Sequence, residues 1–429
     1  MTVRAGRHAV GRHAVGRHAV GRTGAPDGPR TGRRALLALV VGGLSSGGNL
    51  LLAITVTRLE SVSGLGQFAL AFSFYIVGSG LVRSTVTDTV LTTGIGVVGS
   101  AARRAILLGI VGGALVGAAG AAYGSPYLLF AGLALPGLVL YDYTKAVAVG
   151  IGAPSAALAQ EIAWAALTGC AVLAGLLRVI DVPYVFALWA FGGGLIGVVV
   201  AARCRYALMP GWRVGRAETR VAAGFGAQFL LTTGSAQLAL TAVALFAGTA
   251  VVGALSAGRT LLGPVNLVLS TAATLILPQL ARTRAASDAV RTRAAVRLAL
   301  LVAAAVLPLT IAVALLPDAV GRELLGANWT VARSLLVLLA LESLLTVPAT
   351  IGFAGLRVEQ ASRRAIVLGV LLGGLRVPVV VAGAVLFGAP GAAGALVVLA
   401  LASAVAWGGS YLLLLRDRAA APAPVVQPA

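Results

Sequence analysis

Apolar runs of about twenty residues recur almost back to back from Ala35 to Leu415, divided by short segments of arginine, proline and glycine. A helix needs about 20 apolar residues to cross the ~30 Å hydrocarbon core of a bilayer, and inside it every backbone amide must be bonded within the chain. The pattern therefore predicts an all-α polytopic membrane protein. Composition agrees, because 59% of the chain is hydrophobic and only 11% charged, where a soluble domain carries about 25% charged residues.

Charges, prolines and glycines cut the chain into twelve candidate helices: 35–57, 64–82, 105–122, 126–147, 155–177, 183–202, then 221–246, 249–279, 294–316, 331–355, 365–387 and 390–415. The expected organisation is a disordered basic tail over 1–34 and a six-helix bundle over 35–202. A basic cytoplasmic linker (203–220), a second six-helix bundle (221–415) and a disordered C-terminal tail (416–429) follow. With even numbers of spans, 27 basic residues fall on the side of the termini and four (Arg58, Arg178, Arg322 and Arg333) on the other. The positive-inside rule then puts both termini in the cytoplasm and the protein in the cytoplasmic membrane. The outer loops are short, the longest spanning about 317–330, which leaves no room for a sizeable external catalytic domain.

The formal charge of +20 would point a soluble chain towards nucleic acid, but here it is a topological signal and no nucleic-acid partner is expected. Lys145 is the only lysine, so a phosphate-binding Gly-Lys-Ser/Thr loop is absent and the chain cannot hydrolyse ATP through one. All three histidines, His8, His13 and His18, sit in the repeat GRHAVGRHAVGRHAVGR, whose period of five fits no helix or strand face. Cys170 and Cys204 lie in or beside apolar runs and suggest small buried hydrophobes rather than a disulfide or metal cluster. No enzyme activity, metal or cofactor is expected. Asn328-Trp329-Thr330 matches a glycosylation sequon, a three-residue pattern too weak to use.

The two halves resemble each other faintly. SSGGNLLLAIT (Ser45 to Thr55) lies on TGSAQLALTAV (Thr233 to Val243), superposing Asn49 on Gln237, and GQFALAF (from Gly66) lies on GALSAGR (from Gly253). Two six-span units entering from the same side form a parallel repeat, with a substrate path between them. Ser46, Asn49, Ala53 and Thr57 share one face of the first span, as do Gln228, Thr232, Ser235 and Ala239 in the seventh. These stripes line a cavity or, alternatively, pack helices closely.

Charges inside the spans demand an explanation. Arg259 lies ten residues into its span, ~15 Å deep at 1.5 Å per residue. An arginine there costs ~2.5–3.5 kcal/mol on insertion scales and persists only with a partner or a wet cavity. Glu342 and Arg376 lie at comparable depth in the tenth and eleventh spans; Glu161 enters the fifth, Asp142 and Lys145 close the fourth, and Arg83 ends the second. One reading is a cationic, hydrated cleft that receives a phosphate or diphosphate, with Arg259, Arg83, Asn49, Gln237 and Asn266 around it. The other is a set of structural pairs, Glu342, Arg376, Glu161 and Asp142 fixing helix register or coupling to an ion. Pro264 removes a backbone donor and would kink the span as a gate.

These segments resemble a known group. RLESVSGLGQFALAFSF (Arg58 to Phe74), VVGALSAGRTLLGPVNLVLSTAATLILPQLAR (Val251 to Arg282), LPGLVLYDYTKAVAVGIGAPSAALAQEIAW (Leu135 to Trp164) and LLGANWTVARSLL (Leu324 to Leu336) are similar to polysaccharide flippases of the multidrug/oligosaccharidyl-lipid/polysaccharide exporter superfamily. The resemblance implies two six-helix bundles around a central cavity and transport by alternating access. It also implies a lipid-linked oligosaccharide as cargo, with Arg259 at the diphosphate. Membrane lipids and glycosyltransferases of the same pathway are the expected partners. Two alternatives remain: a small-molecule or drug exporter of the same superfamily, and a non-transporting scaffold for glycan assembly in which Arg259 is merely paired and packed.

Overall fold

Proline and glycine punctuate the chain where the helices turn. The computed structural model describes residues 28–94, 98–284 and 286–420, so the GRHAV repeat with its histidines lies outside the described residues. The first half contains α1 (Gly28–Leu59), α2 (Val62–Val82), α3 (Val98–Tyr123), α4 (Pro126–Gly150), α5 (Pro154–Leu176) and α6 (Val182–Arg203). Proline occupies the first turn of α4, α5 and α6, where its missing N–H costs nothing. The Ser61 hydroxyl caps α2 by accepting from the amide of Gly64 at 3.1 Å.

The second half contains α7 (Arg216–Phe229, continuing through Ser235–Ala247), α8 (Thr249–Leu261), α9 (Gly263–Arg282) and α10 (Asp288–Ala314). It ends with the short α11 (Asp318–Leu325), α12 (Trp329–Val358), α13 (362–387) and α14 (389–420). Among the described residues, eleven helical stretches are long and apolar enough to cross a membrane, and the last of these reverses at Gly388, where φ is +64°. That gives the expected twelve crossings, all helical. The ends differ from the sequence expectation: α1 begins at Gly28 rather than 35, and α14 continues to Ala420 rather than stopping at 415.

Among the described residues three helices widen by a π turn, the third being α14 at Ala404–Gly408. Arg83–Thr87 extends α2 into Asp88–Thr93, and Leu230–Gly234 joins the two parts of α7. At the first, the hydroxyls of Ser84 and Thr85 donate to the carbonyls of Gly80 and Leu81, at 2.9 and 2.6 Å. Such back-bonding competes with the regular ladder and bends helices.

The expected eighth span, 249–279, is not one kinked helix. It divides at Leu262, where φ is −82° and ψ is 6°, into α8 and α9. Pro264 accordingly sits in the first turn of α9 rather than inside a continuous helix. The basic linker also has a definite path. Its residues Ala207 and Gly211 donate backbone bonds to Gly99 and Arg103 of α3, at 3.1 and 3.3 Å, before Glu218 pairs with buried Arg104 at 2.6 Å.

The halves are not joined equally at both ends. At the face distal to the chain ends, one apolar core runs from Phe68, Tyr127 and Trp189 of the first half to Ala257, Trp329 and Leu336 of the second. At the face that carries the chain ends, the core around Val86 and Tyr143 is separate from the core around Ile276 and Tyr411. The distal seam is tight. A methyl group on Gly66 would lie 1.9 Å from the carbonyl oxygen of Thr249, and one on Gly253 would lie 1.9 Å from that of Val62. Asn328 reinforces it by donating to the carbonyls of Thr57 and Glu60, at 2.7 and 2.8 Å, with Arg58 and Glu323 paired alongside at 2.9 Å. Buried in this way, the asparagine of the sequon is a structural clasp.

Candidate functional site: a cavity between the halves

Between α1, α2, α7, α8 and α9, inside the distal seam, lies a cavity of about 610 Å³. Five of the residues singled out by sequence line it: Asn49, Gln237, Arg259, Pro264 and Asn266. The α1 stripe contributes Ser46, Asn49 and Ala53, whereas Thr57, deeper in the seam, approaches Thr260 at 3.3 Å between hydroxyls. Gln237 is held by Ser73, whose hydroxyl donates to Oε1 at 2.6 Å across the two halves. Ser73, Ser256 and Ser270 add hydroxyls that the sequence reading did not single out. They looked like ordinary small residues in apolar runs.

Arg259 occupies the last turn of α8, three residues before the break. A cation there complements the negative end of the α8 dipole, and the positive end of α9 begins at the same place. The side chain borders a second, small cavity of about 60 Å³ together with Glu342 and Arg376. Its Nη2 lies 3.2 Å from Oε1 and 3.4 Å from Oε2 of Glu342. The pair is not sealed, since the two side chains remain 32% and 21% exposed. With two guanidinium groups to one carboxylate, the cluster keeps a net positive charge beside the large cavity.

The remaining candidates lie elsewhere. Arg83 does not line the cavity; it begins the π turn of α2 and approaches Asp142 at 3.4 Å. Glu161 is buried and paired with Lys145 at 3.1 Å, while the Tyr141 hydroxyl donates to it at 2.8 Å. Lys145 also donates to Ser45 of α1 at 3.3 Å, which ties α1, α4 and α5 together. Asp142 and Lys145, neighbours on α4, thus have different partners. Of the α7 stripe, Gln228 and Thr232 line a separate cavity of about 420 Å³ near the chain-end face, with Ser84, Asp88 and Arg357. Buried Arg291 pairs with Asp288 at 2.8 Å and with Glu359, an ion cluster that anchors α10 to the end of α12.

Helices in two halves, packed through α2 and α8 around a central cavity, match solved structures along nearly their whole length. The fold is that of the MOP superfamily transporters. The lipid II flippase MurJ, in an inward closed conformation, superposes with a TM-score of 0.63 at 11% identity, over 89% of this chain and 90% of that one. An inward-facing multidrug resistance MATE transporter of the MOP superfamily gives 0.61 at 14% identity, over 87% and 96%. An outward-facing MATE transporter gives 0.54 at 14% identity, over 91% and 95%. Neither a protein-family model nor a curated sequence matches the chain.

Proposed function

We propose that this chain is a flippase that moves a lipid-linked oligosaccharide or polysaccharide precursor across the cytoplasmic membrane by alternating access. The single observation that carries the reading is Arg259, a guanidinium ~15 Å below the distal end of α8 that lines the cavity between the halves. A planar fork of donors suits a phosphate or diphosphate, and a net cationic cluster beside the start of α9 adds to its attraction. Asn49, Gln237 and Asn266 supply neutral hydrogen-bonding groups for sugar hydroxyls. A volume of about 610 Å³ lies within the ~300–1,000 Å³ typical of ligand pockets. The chain-end face is cytoplasmic in this reading, and the tight distal seam is the closed outer side. Pro264, at the α8/α9 junction, is the gating point, and glycosyltransferases of the same pathway supply the cargo.

The second reading is export of a small amphipathic molecule. It is favoured by the α2 wall of the cavity, where Phe68, Phe72 and Ile76 present an apolar surface. Purified protein in liposomes loaded with a fluorescent lipid-linked sugar separates the two. Translocation that is lost in Arg259→Ala, with that variant still inserted and monodisperse, supports the flippase. Drug efflux without lipid translocation would replace it with the exporter.

A further inference from the structure

The last two helices form a hairpin that closes at one end and gapes at the other. Near the turn, α13 and α14 touch backbone to backbone, since a methyl group on Gly391 would lie 2.1 Å from the carbonyl oxygen of Gly383. Towards the chain-end face they part. α13 leans on α7, where a methyl group on Gly373 would lie 2.8 Å from the Leu231 carbonyl oxygen. α14 instead turns through its π turn, Ala404–Gly408, and packs Trp407 and Tyr411 onto Gly352 and Gly355 of α12.

Between the splayed ends lies a groove of about 810 Å³. Its lower part is apolar, with Val367, Val405 and Leu413 each at least half exposed. Gly409 forms part of the floor, and a methyl group there would meet no atom within 4 Å. Its upper end carries Arg363, Arg364 and Asp417. Arg364 reaches Asp417 only at 3.5 Å with both side chains exposed, and no ion pair of Arg363 occurs among the described residues. The two arginines occupy the first turn of α13, which contains no acidic residue and where the helix dipole disfavours cations. An anion above them would relieve both.

From Val405 to Asp417 the groove runs twelve residues along α14, ~18 Å at 1.5 Å per residue and about the depth of one leaflet. We propose that this groove is a site for an anionic phospholipid of the surrounding leaflet, with its phosphate on Arg363 and Arg364 and one acyl chain laid along Val367, Val405 and Leu413. Ser410, about two turns below Asp417, offers a hydroxyl at the depth of the glycerol esters. The site is separate from the central cavity and does not depend on the cargo.

Native mass spectrometry of the full-length protein, equilibrated with equimolar phosphatidylglycerol and phosphatidylcholine of the same acyl chains, tests the assignment. The wild type should retain phosphatidylglycerol roughly tenfold over phosphatidylcholine. Arg363→Gln with Arg364→Gln should bring the two lipids level, and the paired lysine variant should keep the preference. Gly409→Leu, which fills the groove and leaves its charges in place, should lower retention of both lipids. All three variants change exposed or open positions, and a monodisperse elution profile checks their folding. Equal retention of both lipids by the wild type, or an unchanged preference in the glutamine variant, overturns the proposal. Stronger retention of a polyprenyl phosphate than of phosphatidylglycerol would overturn it too, and give the groove to the cargo.

Discussion

Gly66 and Gly253 occupy reciprocal places in the distal seam: each sets a bare α-carbon against the carbonyl four residues before the other, Thr249 for Gly66 and Val62 for Gly253. One shift in sequence carries Val62 onto Thr249 and Gly66 onto Gly253, as a two-fold relation between halves requires. Alanine at either position overpacks the seam, at a cost of about 1–3 kcal/mol. Thermal unfolding of the purified protein should show similar losses for Gly66→Ala and Gly253→Ala. Gly169→Ala, where a methyl group meets nothing within 4 Å, should be neutral or stabilising. Unequal losses would count against the reciprocal arrangement.

Asn328 joins the halves with two hydrogen bonds to the end of α1. Asn328→Ala leaves the Thr57 and Glu60 carbonyls short of a donor, at about 1–3 kcal/mol for a buried unsatisfied group. The expected outcome is faster labelling of a cysteine placed at Ser63, which faces Thr249 at 2.9 Å across the seam. Unchanged labelling would show that the glycine contacts hold the seam alone.

Arg104 and Glu218 fasten the linker end of α7 to α3 through a 2.6 Å ion pair whose arginine is buried. Removing one partner of such a pair costs about 3–5 kcal/mol, because a charge is left alone in a dry place. Glu218→Ala and Arg104→Met should each destabilise. The double variant should recover part of the loss in a denaturation cycle, and strict additivity would mean that the two charges do not interact.

The Arg259–Glu342 pair separates a structural role from a cargo-binding one. Exchanging the two, Arg259→Glu with Glu342→Arg, keeps an ion pair between α8 and α12 but moves the cation off α8. If Arg259 receives the cargo phosphate, translocation falls at least tenfold while thermal stability stays near the wild type. Full translocation by the exchanged variant would reduce Arg259 to a register pin.

The helical crossings were legible because a membrane leaves the backbone no other way to satisfy itself, so hydropathy alone marks each one. The depth argument also led from Arg259 to Glu342, since two charges at one level in dry surroundings attract each other strongly. The α8/α9 break was less legible: a proline five residues past an arginine within the span reads equally as a kink or as the start of a new helix. The partner of Glu161 was readable but missed. Lys145 and Glu161 each stand eight residues from Ala153 in the α4–α5 turn, so the hairpin sets them face to face. Arg104 and Arg291 resembled ordinary cytoplasmic positive charges, and only the linker path and the end of α12 reveal that each is buried against a carboxylate.

The seam made by Gly66 and Gly253 has almost no ionisable component, for peptide oxygens and naked backbone carbons meet there directly. At these two glycines neither acid nor ionic strength has purchase; the flanking Arg58–Glu323 pair would respond to them. Separating the halves at this end would mean pulling close-packed backbone apart rather than titrating a charge.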